Sequence, residues 1–129
     1  MRDTLNLKNR KALIKAADKA ASAYIIKRDG RCVVCGSTAH LTCGHLFSRV
    51  AFSTRWEEKN LYCQCTGCNL RHEYDPYALF EIATIRHGAD VIDDLHRRFR
   101  TPRKYSNADL AEIIDEYKRK LTALESGEV

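Results

Sequence analysis

The chain has 129 residues, of which 44% are hydrophobic and 30% charged, with 6 Gly and 2 Pro. That balance suits one globular domain and excludes collagen-like, mucin-like and wholly disordered classes. No run approaches the roughly 18 apolar residues of a membrane span, and residues 1–10 are polar, so neither a membrane segment nor a signal peptide is expected and the protein is predicted to be cytoplasmic. The net charge of +5 gathers in two places: residues 1–31 hold nine Lys/Arg against three Asp, and the run Arg97, Arg98, Arg100, Arg103, Lys104 contains no acid. Such regions suit a polyanion, most simply nucleic acid, or else form solvated helix faces.

From Leu5 to Lys27, Ala12, Leu13, Ala16, Ala17, Ala20, Ala21, Tyr24 and Ile25 recur at three- and four-residue steps between lysines, which predicts an amphipathic helix ended by Asp29-Gly30. Cys32 to Cys35 reads as a short loop. Leu41 to Phe47 and Asn60 to Cys63 have strand character, joined by a polar connection holding Ser53, Thr54 and Arg55. A helix is expected from Cys65 to about His72. Another restarts at Asp75-Pro76, buries Leu79, Phe80, Ile82, Ala83 and Ile85, and stops at Gly88. Val91, Ile92, Leu95 and Phe99 mark a further short helix. Ser106, three residues before Asp109, reads as a capping-box start for a last helix through Leu124.

Six cysteines punctuate this pattern. In a reducing compartment, two C-x2-C pairs point to metal rather than disulfides, and a two-residue spacer lets both thiolates of a pair meet one tetrahedral ion. Cys32, Cys35, Cys65 and Cys68 are the preferred set for a structural Zn²⁺, with Gly36 completing a tight turn after the first pair. Cys63-x-Cys65-x2-Cys68 offers other sets, and Cys43 and Cys63 also suit the role of small buried apolar residues. Four thiolates leave no open coordination position, so this zinc holds the fold and does not catalyse. Thiol–disulfide chemistry is the weaker alternative, because neither pair lies in a βαβ pattern.

Around the second pair stand residues that a zinc site alone does not require: Cys43-Gly44-His45, then Asn60, then Cys68-Asn69 with His72 and Glu73 behind. This order, bracketed by zinc knuckles, resembles the HNH (ββα-metal) nucleases. Gly44-His45-Leu46, the segment Arg55 to Asn60, Gln64-Cys65-Thr66-Gly67-Cys68-Asn69 and the segment Gly88 to Leu95 resemble more closely the NinG/Rap recombination proteins of lambdoid phages. The likeness runs from about Arg31 to Leu124, with Tyr77, Gly88 and the helix around Leu110 to Leu121 in the expected places. Its Q-C-x2-C-N core is specific and its helical tail is not. Recombination endonuclease VII is a more distant relative sharing the four cysteines and the Cys-Asn step.

The resemblance implies an α+β protein: a small zinc-stabilised ββα-metal (HNH) core embedded among peripheral α-helices. It would be a single domain over residues 1–129, with an N-terminal basic helix (1–30), the core (31–74) and C-terminal helices (75–125). It further implies a structure-selective DNA endonuclease acting on branched recombination intermediates, of the Holliday junction or flap type, with Mg²⁺ or Mn²⁺ in the active site, working in a bacterial host cell from a phage or prophage gene. His45, Asn60 and Asn69 form the expected catalytic set. His45 is the natural general base, since imidazole titrates near neutrality. Asn69 offers a carbonyl oxygen to a hard cation, Glu73 and His72 compete as its partners, and Asn60 is expected to hold the loop that carries His45. Arg49, Arg55, Arg71 and the Arg97 to Lys104 run are candidates for gripping phosphates, and Trp56 is expected to pack on the small zinc core. The acid that such motifs place next to the base, or three residues before it, is missing: those positions are Gly44 and Thr42. A non-catalytic, zinc-stabilised DNA-binding recombination-accessory protein is therefore the alternative. Cutting two opposed strands requires two active sites, which makes a homodimer plausible by analogy with the family.

Overall fold

The structure, a computed structural model, describes residues 2–127, with side chains described from Asn9 onward. Met1, Glu128 and Val129 lie outside it, as do the side chains of Arg2 and Lys8, which count toward the basic N-terminal region. Helix α1 (Arg2–Asp29) is followed by the cysteine loop and strand β1 (Leu41–His45). Helix α2 (Phe52–Arg55) and a 3-10 turn (Glu58–Asn60) lead into β2 (Leu61–Cys65), then α3 (Thr66–Arg71), α4 (Tyr77–His87), α5 (Ala89–Phe99) and α6 (Asn107–Glu125). The fold class is α+β. Among the described residues no helix is long and apolar enough to cross a membrane.

The two strands pair antiparallel with Leu41 opposite Cys65, Cys43 opposite Cys63 and His45 opposite Leu61. Alternation along β2 then divides the core. Leu61 and Cys63 join Trp56 against α1 and α6, where Ala17, Ala20, Ala21 and Ile25 meet Leu110, Ile114 and Tyr117. Tyr62 faces the other way, onto Leu46, Leu79, Ala83, Ile92 and Leu95 from α4 and α5. The small hairpin is thus covered on both faces by helices, and each fully buried Leu or Ile contributes roughly 1.5–3 kcal/mol by leaving water.

Specific bonds pin these layers. At the end of α1 the Asp29 carboxylate accepts from the Cys63 amide (3.0 Å) and from Arg28 and Arg86, tying the helix to β2. Tyr117 of α6 donates to the Trp56 carbonyl at 2.6 Å. Ser106 and Asp109 form the reciprocal capping box expected at the start of α6.

Three local expectations need correction. The polar connection between the strands is not an irregular loop: it forms α2 and the 3-10 turn, with Ser53 and Thr54 buried. Ile85 is 79% exposed, since α4 buries only the stripe of Leu79 and Ala83. Helix α3 ends at Arg71, just short of the expected His72, and Glu73 follows in a turn, so a shared helix face does not bring Glu73 to Asn69.

Candidate metal centre and adjoining cleft

Cys32 and Cys35 stand in the loop after α1, Cys65 closes β2, and Cys68 sits in the first turn of α3. Their four sulfurs lie within 4.8 Å of one another, with Cys35 Sγ and Cys65 Sγ 3.7 Å apart. A tetrahedral zinc with Zn–S of about 2.3 Å sets its sulfurs roughly 3.8 Å apart, so this spacing fits the ion. The backbone supports the thiolates in the same way at both pairs: Cys35 N–H points at Cys32 Sγ (3.5 Å), and Cys68 N–H at Cys65 Sγ (3.4 Å). Gly36 makes the first knuckle possible with φ of 80° while its amide donates to the Cys32 carbonyl, a left-handed conformation that favours glycine. Cys43 and Cys63 stay outside, packed toward α1, and burial pushes the Cys43 thiol up to about 12. Among the described residues no other group of three or more His, Cys, Asp or Glu converges in this way.

A cleft of about 470 Å³ opens beside this centre, between α1, β1 and α3, and His45, Asn69, His72 and Glu73 all line it. His45, the last residue of β1, donates from Nε2 to the Arg55 carbonyl at 3.0 Å, because a carbonyl oxygen only accepts. Burial is the main reason its pKa falls to about 4, and the cations of Arg49 and Arg55 add to it. The ring is therefore neutral at pH 7, with its lone pair on Nδ1, and is a weaker base than the imidazole titrating near neutrality that the sequence suggests, because burial disfavours its charged form. Asn69 is placed by the residue before it, since Cys68 anchors the first turn of α3. His72 donates from Nε2 to the Leu46 carbonyl at 2.9 Å, while its Nδ1 is buried without a partner.

Position 44 has a physical reason to lack an acid. A Cβ there would lie 2.9 Å from Gln64 Cδ and 3.0 Å from Asn69 Oδ1, and would overlap Gln64 Oε1. Gln64 is itself fully buried, so making room for that Cβ means repacking its side chain inside the core. Asn60 has no exposure at all: its Oδ1 accepts from the Phe47 amide (2.8 Å), and its Nδ2 donates to the carbonyls of Phe47 and Thr54 (3.0 Å each). It fixes the loop after His45 and does not reach the cleft, so it leaves the set of groups able to touch a substrate.

The basic candidates divide. Arg49 and Arg55 line the cleft, yet both bind Asp18 of α1, and Arg55 does so through two nitrogens at 2.6 and 3.0 Å. Trp56 is buried, though among α1, α6, Phe52 and Tyr105 rather than on the four-cysteine site, and gives Asp18 a fourth contact from its indole Nε1 at 2.9 Å. The chain's charge census hid Asp18, but it lies between Ile14, Ala17 and Ala21, on the apolar stripe of an otherwise basic helix, which is the signal that could have found it. Arg71 is exposed. Arg98 pairs with Glu57 (2.9 Å), Arg97 pairs with Asp94, and Arg103 lies over the Tyr105 ring (4.4 Å). With Arg100 and Lys104, both exposed, these form a surface apart from the cleft.

The fold and site define a small α+β protein built on four cysteines arranged to hold a metal ion, with a polar cleft next to them. The family described as Bacteriophage Lambda NinG protein matches residues 2–128, and the chain belongs to that family. It is 33% identical to protein ninG of Salmonella phage P22 and 32% identical to protein ninG of Escherichia phage lambda, in each case over 93% of this chain and 61% of the relative. Protein ninG of Escherichia phage 933W is 32% identical over 74% of this chain and 52% of its own length. The chain thus spans at most about three fifths of the length of these relatives. No solved structure matches it.

Proposed function

We propose that this chain is a metal-dependent, structure-selective DNA endonuclease that hydrolyses phosphodiester bonds in branched recombination intermediates, and that β1, β2 and α3 are its ββα-metal (HNH) core. The observation that carries the reading is His45, which lines the same cleft as Asn69 with Nε2 tied to the Arg55 carbonyl and Nδ1 left as its accepting nitrogen. In this reading His45 Nδ1 takes a proton from the attacking water. Asn69 Oδ1, the Glu73 carboxylate and His72 Nδ1 are the groups that would hold Mg²⁺ or Mn²⁺. His72 suits the role because its other nitrogen already donates to a backbone carbonyl, the usual support of a metal-bound imidazole. Such an ion, when bound, neutralises charge on the scissile phosphate and the leaving oxygen. One carboxylate with waters and substrate phosphate is an ordinary ligand set for a hard cation. The cysteine zinc stays structural, and exposed Arg71, Arg100 and Lys104 with α1 lysines grip the DNA arms. Paired cuts would require a homodimer.

The test is cleavage of labelled four-way junction, flap and linear duplex DNA with Mg²⁺ or Mn²⁺, with EDTA, and by His45→Ala, checking the zinc content of every sample. Metal-dependent cutting of branched DNA that disappears in folded, zinc-loaded His45→Ala supports the reading. Binding without cutting under either ion favours the accessory-protein reading, for which the lack of a side chain at Gly44 speaks, as does the lack, among the described residues, of a converging acidic trio in the cleft.

A further inference from the structure

We propose that Asp18, on the N-terminal helix and far from the nuclease-like motif in sequence, is the positioning residue that fixes His45. The chain of contacts is direct. The Asp18 carboxylate accepts from Arg55 Nε (3.0 Å), Arg55 Nη2 (2.6 Å), Trp56 Nε1 (2.9 Å) and Arg49 Nη2 (3.1 Å). Four donors on one half-buried carboxylate pin residues 55 and 56 to α1. The Arg55 side chain is fixed further by its stacking over the Phe52 and Trp56 rings, 5.3 and 5.4 Å from their centroids. The Arg55 carbonyl held in this way is the acceptor for His45 Nε2–H at 3.0 Å. Removing Asp18 leaves two guanidinium groups and an indole N–H without their shared acceptor, and frees the carbonyl that sets the imidazole tautomer.

Asp18 is not the missing metal ligand, although it lines the cleft. Both its oxygens already accept from cationic or indole donors, which hold its pKa below the usual carboxylate range despite burial. A cation placed on them would have to displace two arginines. Its role is the one that a carboxylate behind a histidine has elsewhere, here relayed through a peptide carbonyl instead of made directly on the ring. The consequence for catalysis rests on the endonuclease reading, whereas the geometric claim stands without it.

The experiment reads the His45 ring N–H by ¹H–¹⁵N NMR in the zinc-loaded full chain at pH 7. In the unmodified protein the Nε2–H, bonded to Arg55, exchanges slowly and gives a resolved resonance. Asp18→Asn is expected to abolish that resonance and to lower the cleavage rate about tenfold or more, as loss of an outer-shell partner does, with KM little changed. Asp18→Glu restores part of both. Should Asp18→Asn fail to fold, Arg55→Gln breaks the same bridge and decides the matter by the same resonance. Asp29→Asn, which unties α1 from β2 away from the cleft, weakens folding but leaves the resonance in place. A protected His45 N–H that persists in Asp18→Asn, or in Arg55→Gln where that variant decides, overturns the proposal. If the unmodified protein cuts no DNA, the endonuclease reading fails while the NMR comparison still decides the role of Asp18.

Discussion

Replacing Asn60 by Ala removes three side-chain hydrogen bonds at a site without exposure: one to the Phe47 amide at 2.8 Å and two, at 3.0 Å, to the Phe47 and Thr54 carbonyls. Each buried group orphaned in this way costs about 1–3 kcal/mol. Phe47 is partly exposed, so water can reach its two groups and the lower end applies to them. The Thr54 bond is fully buried and takes a middle value. The sum is about 4 kcal/mol, a large share of the roughly 5–15 kcal/mol that holds an ordinary domain together. Urea unfolding at pH 7 and fixed free zinc measures it, with the slope of the transition compared between variants. Asn60→Asp keeps the acceptor for Phe47 but turns a charge toward two carbonyls, and is expected to be at least as harmful. A loss below about 1 kcal/mol in Asn60→Ala at unchanged slope would refute the argument that Asn60 acts by holding the loop.

Three other outcomes are expected. Cys65→Ser loses its zinc and, by circular dichroism, most of its cooperative unfolding, since structural zinc contributes about 10 kcal/mol or more of folding free energy; a cooperative, zinc-free variant would contradict this. Gly44→Ala drives a methyl into Gln64 and lowers stability by about 1–3 kcal/mol in thermal unfolding, and adding Gln64→Ala recovers part of the loss; no recovery would point to a different clash. His45 has its pKa depressed to about 4 in the folded chain, so below its unfolded value of about 6.5 the unfolded state binds a proton that the folded state refuses. Its contribution is full above pH 6.5 and is lost as pH falls toward 4, by up to about 3 kcal/mol, and His45→Gln flattens that part of the profile. An identical pH slope in the two proteins would remove burial as the cause.

The sequence made the helices legible wherever a local rule was sufficient. The alanine stripe of α1, the Ser106 and Asp109 box and the stop at Gly88 are all set within a few residues of chain, and all stand in the structure. The paired cysteine spacing carried as much, because two residues between thiolates is itself a geometric statement. What escaped was set by contacts distant in sequence. Asp18 reads as one of three acids on a helix rich in Lys and Arg until α1 is laid beside residues 49–56, some 37 positions away in the case of Arg55. Arg98 reads as a free cation until Glu57 arrives 41 positions distant, and Ser53 and Thr54 read only as part of a polar connection until α2 packs against α5. Ile85 misled in the opposite sense, since apolar character alone does not say how wide a stripe a helix will bury.

The four-cysteine centre and the cleft are linked through the same elements, and the chain order explains why. Cys65 and Cys68 bracket the start of α3, and Cys65 Sγ accepts from the Cys68 amide, so a metal ion held by them with Cys32 and Cys35 would also fix the first turn of that helix. Asn69 is the next residue, one peptide from a ligand, and His72 follows in the next turn with its ring tied to Leu46. On the other side of the cleft, His45 hangs from Arg55, which hangs from α1 through Asp18. The Cys32 loop is where α1 rejoins the zinc site, with Val33 N–H donating to the Cys63 carbonyl at 2.9 Å. Each wall of the cleft therefore leads back to the same four sulfurs. Loss of zinc should displace Asn69 and His45 together rather than one of them, which is why zinc content has to be known before any lost activity is credited to a side chain in the cleft.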